Sequence, residues 1–247
     1  MKVRWLRKQS NLFLGGKEWE VQQGVMPRWI FIEHRWKVKM KKSSKEMKSA
    51  KHVRVETIAG AFSTPLGALI RALLSHIGED PNREGLVETP ERVIKSYEEL
   101  FSGYKFNDAQ IAKTLKVFED GACDEMVVLK GIEFSSFCEH HMLPFIGIAH
   151  VAYVPEGRIV GISKLARLVD IYAKRLQVQE RLTTQITYAL DRHLKPKGSA
   201  CVIEAKHQCM SCRGVGKQNS VMITSSLTGV FKDEGTTRSE FFSLVRG

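Results

Sequence analysis

Two stretches decide the fold: residues 126–134, MVVLKGIEF, and residues 143–154, LPFIGIAHVAYV. Both are rich in β-branched and aromatic residues, and both predict strands. Pro155-Glu156-Gly157 then supplies turn chemistry. Ser163 reads as the N-cap of a helix that turns Leu165, Leu168, Val169 and Tyr172 inward. A second helix follows Gln179, with Leu182, Ile186, Ala189, Leu190 and His193 on its inner face. Strand alternation returns at 200–209 and at 220–230, and a short helix over 240–245 closes the pattern. The order strand, strand, helix, helix, strand, strand predicts an α+β fold, an antiparallel sheet with two helices on one face.

Working outward, residues 55–120 read as a helical region. Leu66, Ile70, Leu73, Leu74 and Ile77 recur at helical spacing and Gly78 follows as a stop. Thr89-Pro90 supplies an N-cap and first-turn proline for a helix that presents Val93, Tyr97 and Leu100 and runs to about Phe101, with Gly103 ending it. Three segments result: a basic extension at 1–54, the helical region at 55–120 and an α+β body at 121–247.

The charge of the chain sits almost wholly in the extension. Of 247 residues, the first 54 hold 15 Lys/Arg against 4 Asp/Glu, a net of +11, whereas the rest hold 23 of each. The tract KVKMKKSSKEMKSAK at 37–51 reads as a solvated, disordered linker. The body carries none of the net positive charge that a nucleic-acid partner would call for. No apolar run approaches the roughly 18 residues of a membrane span, and the early apolar stretches are too short for a signal-peptide core. Five cysteines, at 123, 138, 201, 209 and 212, make an odd count that argues for reduced thiols in the cytoplasm, some of them bound to metal.

Cys138-Glu139-His140-His141 sets Cys and His three residues apart, so a tight turn lets both reach one ion. Cys209 lies 68 residues beyond His141, at the end of a strand whose two-residue period puts Cys201, Ile203, Ala205, His207 and Cys209 on one face. Thiolate and imidazole are ligands that zinc prefers, and three of them leave a fourth position open to water. Cys138-x2-His141 with Cys209-x2-Cys212 also makes a closed four-ligand site, and spacing leaves that alternative open.

Ser163-Lys164-Leu165-Ala166-Arg167 opens a helix, where free N–H groups and the helix dipole favour an anion. Lys164 with Arg167, Arg92 with Lys95, and Arg213 after the second cysteine cluster suggest a polyphosphate site. Neither GxxxxGK[ST] nor GxGxxG is present. Glu180, after Gln179, caps its helix or accepts hydrogen bonds from the N1–H and exocyclic amine of a guanine.

These motifs together resemble one family. CEHH at 138–141, GISKLAR at 161–167, QVQERLT at 177–183, HQCMSCRG at 207–214, ETPERVIKSYEELFSGY at 88–104 and the terminal TRSEFFSLVR are similar to GTP cyclohydrolase I over roughly residues 60–247. The resemblance implies the tunnelling fold, assembled as a toroidal homodecamer with active sites at subunit boundaries. It implies conversion of GTP and water to 7,8-dihydroneopterin triphosphate and formate, the entry to folate or tetrahydrobiopterin synthesis. It implies zinc held by Cys138, His141 and Cys209, with His140 and His207 as acid/base histidines. It further implies guanine held by Glu180 with Gln179, and triphosphate held by Lys164, Arg167 and Arg213, with Arg92 and Lys95 from a neighbouring chain. Ser163 would lie near the ribose. Cys212 departs from the most familiar pattern, and residues 1–54 fall outside it.

Overall fold

The computed structural model describes residues 65–119 and 123–246. The basic extension expected at 1–54 lies outside the described residues. Among the described residues three helices come first: α1 (Pro65–His76), α2 (Thr89–Leu100) and, after a 3-10 turn at Ser102–Lys105, α3 (Asp108–Thr114). Strand β1 (Val117–Phe118) precedes the long β2 (Val127–Cys138) and β3 (Pro144–Val154). Then come β4 (Ile159–Val160), α4 (Ile162–Ala173), β5 (Leu176–Gln177) and α5 (Gln179–Leu194). The chain finishes with β6 (Gly198–His207), α6 (Gln208–Ser211), β7 (Met222–Leu227), α7 (Val230–Asp233) and α8 (Gly235–Arg246).

The main sheet has five strands in the order β5-β2-β3-β6-β7. Its pairings are antiparallel except the short β5, which lies parallel to β2. Helices α4 and α5 cover one face. Their apolar residues Leu165, Leu168, Val169, Leu182, Ile186 and Leu190 pack against Phe145, Ala149, Val151, Cys201, Ile203 and Ala205. The opposite face is not bare, as an arrangement of two helices on one face would leave it. Phe231 of α7 with Phe241 and Val245 of α8 cover Ala152, Val154, Ala200 and Val202 at one end of the sheet.

A bulge in β2 controls which residues face the helices. Val127 and Leu129 pack on the α4–α5 core before it, and Ile132, Phe134 and Cys138 after it, so the inward set passes from odd to even positions. The extra residue sits at Lys130-Gly131, where Gly131 takes φ +76°, a conformation that a side chain disfavours. Without it the two-residue period would turn Cys138 to the other face.

Several expected boundaries shift for physical reasons. Gly161, not Ser163, is the N-cap of α4, and Glu88, not Thr89, precedes α2; neither makes a side-chain cap bond. Gly103 does more than end a helix. A Cβ there would stand 2.2 Å from the Ile171 carbonyl and 2.6 Å from that of Lys174, so it allows the 3-10 turn to lie against the end of α4. Among the described residues the apolar stripe expected over α1 is only partly covered: Ile70 and Leu74 are half-buried, whereas Leu66, Leu73 and Ile77 are exposed.

Candidate metal centre and active site

The cluster forms where β2 and β6 end. The β2–β3 hairpin closes over residues 139–143, with the Met142 N–H donating to the Cys138 carbonyl at 2.8 Å and the Cys138 N–H to the Leu143 carbonyl at 2.9 Å. Met142 accepts a left-handed φ of +52° to complete the turn. This folds His141 back toward Cys138, with Nδ1 3.9 Å from Sγ, while His140 Nδ1 lies 3.8 Å from the same sulfur.

Cys209 arrives by a different route from the one its spacing predicts. Strand β6 ends at His207, and Cys209 lies on the single helical turn α6. The two-residue period therefore places His207 and not Cys209. The helical turn still carries the thiol to the cluster, because ligand atoms of Cys138, His141 and Cys209 all lie within 4.8 Å of one another. Burial, reinforced by the Cys138 thiol beside it, pushes the Cys209 thiol up, and Arg213 pulls the other way. Two thiols and an imidazole converging at this range suit a borderline-soft divalent ion such as zinc, whose positive charge would favour the deprotonated thiols. Cys212 stays apart: it is exposed, and its thiol donates to the Gln208 carbonyl at 2.8 Å.

His207 is held beside the cluster. Its ring stacks on Phe145, its partner across β3–β6, with centroids 4.5 Å apart and planes 1° from parallel. Its Nε2 lies 2.8 Å from Gln179 Oε1. Burial pulls its pKa down, and the carboxylate of Glu180 opposes that. Glu180 is open to solvent on the first turn of α5, where the helix dipole favours its charge. Glu139, between the metal-site residues, is clamped by Arg181, which also bonds Gln177. Sequence reading passed over this clamp; the signal was Arg181 inside the QVQERLT motif.

Two of the remaining expected residues, Ser163 and Lys164, lie away from the cluster of their own chain. The Val160 N–H donates to the Tyr153 hydroxyl at 3.1 Å, which pins the entry to α4 at the Val154 end of β3. The cluster lies at the Pro144 end, an eleven-residue strand away, or about 35 Å at 3.3 Å per residue. Ser163 and Lys164, on the first turn of α4, therefore lie at the far end of the sheet. Arg167, further along α4, lines a cleft of about 240 Å³ with Lys174, Asp170 and Ser102. Arg92 lies on α2, exposed and paired with Glu88, and Lys95 follows one turn later on the same helix.

A family model described as GTP cyclohydrolase I matches residues 66–246. A relative from Leptospira biflexa named GTP cyclohydrolase 1 is 56% identical over 178 residues, 72% of this chain and 96% of its own length. Another of that name, from Wolinella succinogenes, is 55% identical over 177 residues, 72% of this chain and 94% of its own. One from Rickettsia bellii is 55% identical over 176 residues, 71% and 91% respectively. A crystal structure of the apo archaeosine synthase QueF-Like covers 42% of this chain and 93% of its own at 19% identity and a TM-score of 0.34, too slight a likeness to carry an argument. With a family model spanning nearly all the described residues and relatives above half identity, the chain belongs to the GTP cyclohydrolase I family.

Proposed function

We propose that this chain is a zinc-dependent GTP cyclohydrolase that converts GTP and water to 7,8-dihydroneopterin triphosphate and formate, the step that opens folate or tetrahydrobiopterin synthesis. The observation that carries the reading is the convergence of Cys138, His141 and Cys209 at one sheet end with His140, His207 and Glu180 around them. Cys138, His141 and Cys209 hold the zinc, which supplies the Lewis acidity that makes water a nucleophile at neutral pH. Glu180 accepts from the N1–H and exocyclic amine of guanine and so presents the imidazole ring of the base. His207 holds and moves the proton that makes guanine C8 electrophilic, and His140, on the exposed hairpin turn, serves the water or the ribose oxygen. Arg213, beside Cys209, meets the triphosphate.

The site is completed by other copies. Ser163 and Lys164 lie at the far end of the sheet from the cysteines of their own chain, so they reach the ribose and triphosphate of a site on a neighbouring subunit, and Arg167 on the same helix acts with them. Arg92 and Lys95 act likewise. Exposed apolar residues support an assembly, the family's decamer in our reading: Leu66, Leu69 and Leu73 on α1, Ile77 just after it, and Ile146 and Ile223 on the open sheet face. Free thiols at a metal site fit the reducing cytoplasm.

The test is zinc content and formate production for Cys209→Ser and Cys212→Ser side by side. Cys209→Ser is expected to lose both, because a three-ligand site cannot spare a thiolate. Cys212→Ser is expected to keep zinc and most activity. Loss of zinc from Cys212→Ser would mean a closed four-ligand site, and the hydrolytic reading would fail.

A further inference from the structure

Gln179, the first residue of α5, is 1% exposed, and every polar atom of its side chain is engaged by the protein. Its amide nitrogen, with two hydrogens, donates to the Ile203 carbonyl at 3.0 Å and the Met222 carbonyl at 2.9 Å, and the Thr224 hydroxyl oxygen shares in these donations at 3.2 Å. Its amide oxygen faces His207 Nε2 at 2.8 Å. A backbone carbonyl can only accept, so the nitrogen must face Ile203 and Met222, and the oxygen must face the histidine. A flipped amide would set oxygen against two carbonyl oxygens.

The neighbouring hydroxyls agree with this direction. The Thr183 hydroxyl donates to the Gln179 carbonyl at 2.7 Å, so across the 2.7 Å contact between the two hydroxyls it accepts from Thr224. Thr224 then turns a lone pair to the Gln179 amide. An acceptor at Gln179 Oε1 demands a proton on His207 Nε2, and the parallel Phe145 ring fixes the plane in which that bond is made. The neutral imidazole is left with its lone pair on Nδ1.

We propose that Gln179 is a positioning residue: it locks His207 as the Nε2–H tautomer, so that proton transfer in the reaction runs through Nδ1. The chemistry of this inference rests on the function proposed above. It also reassigns Gln179, whose amide hydrogens are already taken by the sheet. Recognition of guanine by the first turn of α5 then falls to Glu180, the exposed neighbour.

The tautomer is read directly by solid-state NMR of zinc-loaded wild-type protein carrying 15N-histidine, at about pH 8.5, where an ordinary histidine is neutral. The His207 signals are assigned by their absence from His207→Ala. The expected result is a protonated Nε2 and an unprotonated Nδ1; a proton on Nδ1 overturns the proposal. This readout needs neither turnover nor a Gln179 variant that folds. The kinetic arm uses Gln179→Met, which keeps the volume and removes the acceptor. Its kcat for formate release is expected to fall about 10²-fold, the low end of what positioned proton transfer contributes, with KM for GTP nearly unchanged. Gln179→Met in a His207→Ala background should cost nothing further. A raised KM with kcat intact, or losses that multiply, would place Gln179 on the substrate and refute the proposal. A wild-type protein that releases no formate would refute the functional reading instead, and the tautomer would still be measured.

Discussion

His150 shows how one side chain ties the fold to pH. It is buried in β3 with Nδ1 accepting the Gly131 N–H of the bulge at 3.3 Å, a bond that needs the neutral ring. Burial holds its pKa below the ordinary value, with Lys130 acting the same way and Glu204 opposing. Its contribution to stability is therefore present above the unfolded value of about 6.5 and is lost as pH falls below it. The midpoint of thermal unfolding is expected to drop between about pH 7 and pH 5, and His150→Gln to flatten that slope; an equal slope in the variant would remove the assignment. Thiols differ in the same way by environment. Burial pushes the Cys201 thiol far up, while Cys212 is exposed, so mass spectrometry after brief alkylation of the folded protein should find Cys212 labelled and Cys201 untouched. The candidate ligands Cys138, His141 and Cys209 were legible because thiol and imidazole at short spacing have few other uses. The burial of Gln179 was not, since its place under His207 depends on β6 and β7, which lie far along the chain.

At the scale of elements, α5 is locked onto the sheet by a row of polar side chains rather than by apolar packing alone. Gln179, Thr183, Thr187 and Asp191 recur every four residues. They meet Thr224, Ser226 and Thr228, which alternate along β7 and just beyond it. Ser199 of β6 joins the last rung through Asp191 and Thr228. The helical period of four and the strand period of two keep these rows in step, which sets the register of α5 and hence the positions of Gln179 and Glu180. Thr187→Val should cost about 1 kcal/mol in chemical denaturation, because the Ser226 hydroxyl loses its partner, and adding Ser226→Ala should recover part of it. A double variant as unstable as the sum of the two single changes would contradict a coupled rung. The long strands, α4 and α5 were readable from apolar periodicity. The polar row was not, because Thr and Gln on a helix face read as solvated until β7 is laid against them. The bulge at Gly131 and the helical turn that carries Cys209 escaped for a related reason: each breaks a period for a residue or two, and pairing with β3 and the cluster decides where.

At the scale of the whole molecule, the proposed function calls for a second chain, because α4's first turn lies at the far end of the sheet from the cysteine cluster. Lys164→Ala and Arg167→Ala are expected to weaken binding of GTP far more than binding of guanosine; equal losses would remove the phosphate role. If each site joins two chains, then mixing His207→Ala with Lys164→Ala subunits, each of strongly reduced turnover at subsaturating GTP, and reassembling them should restore about a quarter of the sites, by random pairing in a closed ring. No recovery would mean that both residues serve a site within one chain. Formate release from GTP by the purified, zinc-loaded wild-type protein is the decisive measurement. One formate is expected for each GTP consumed, abolished by chelation and restored by zinc. GTP left intact by a metal-loaded, assembled protein would rule out the proposed activity.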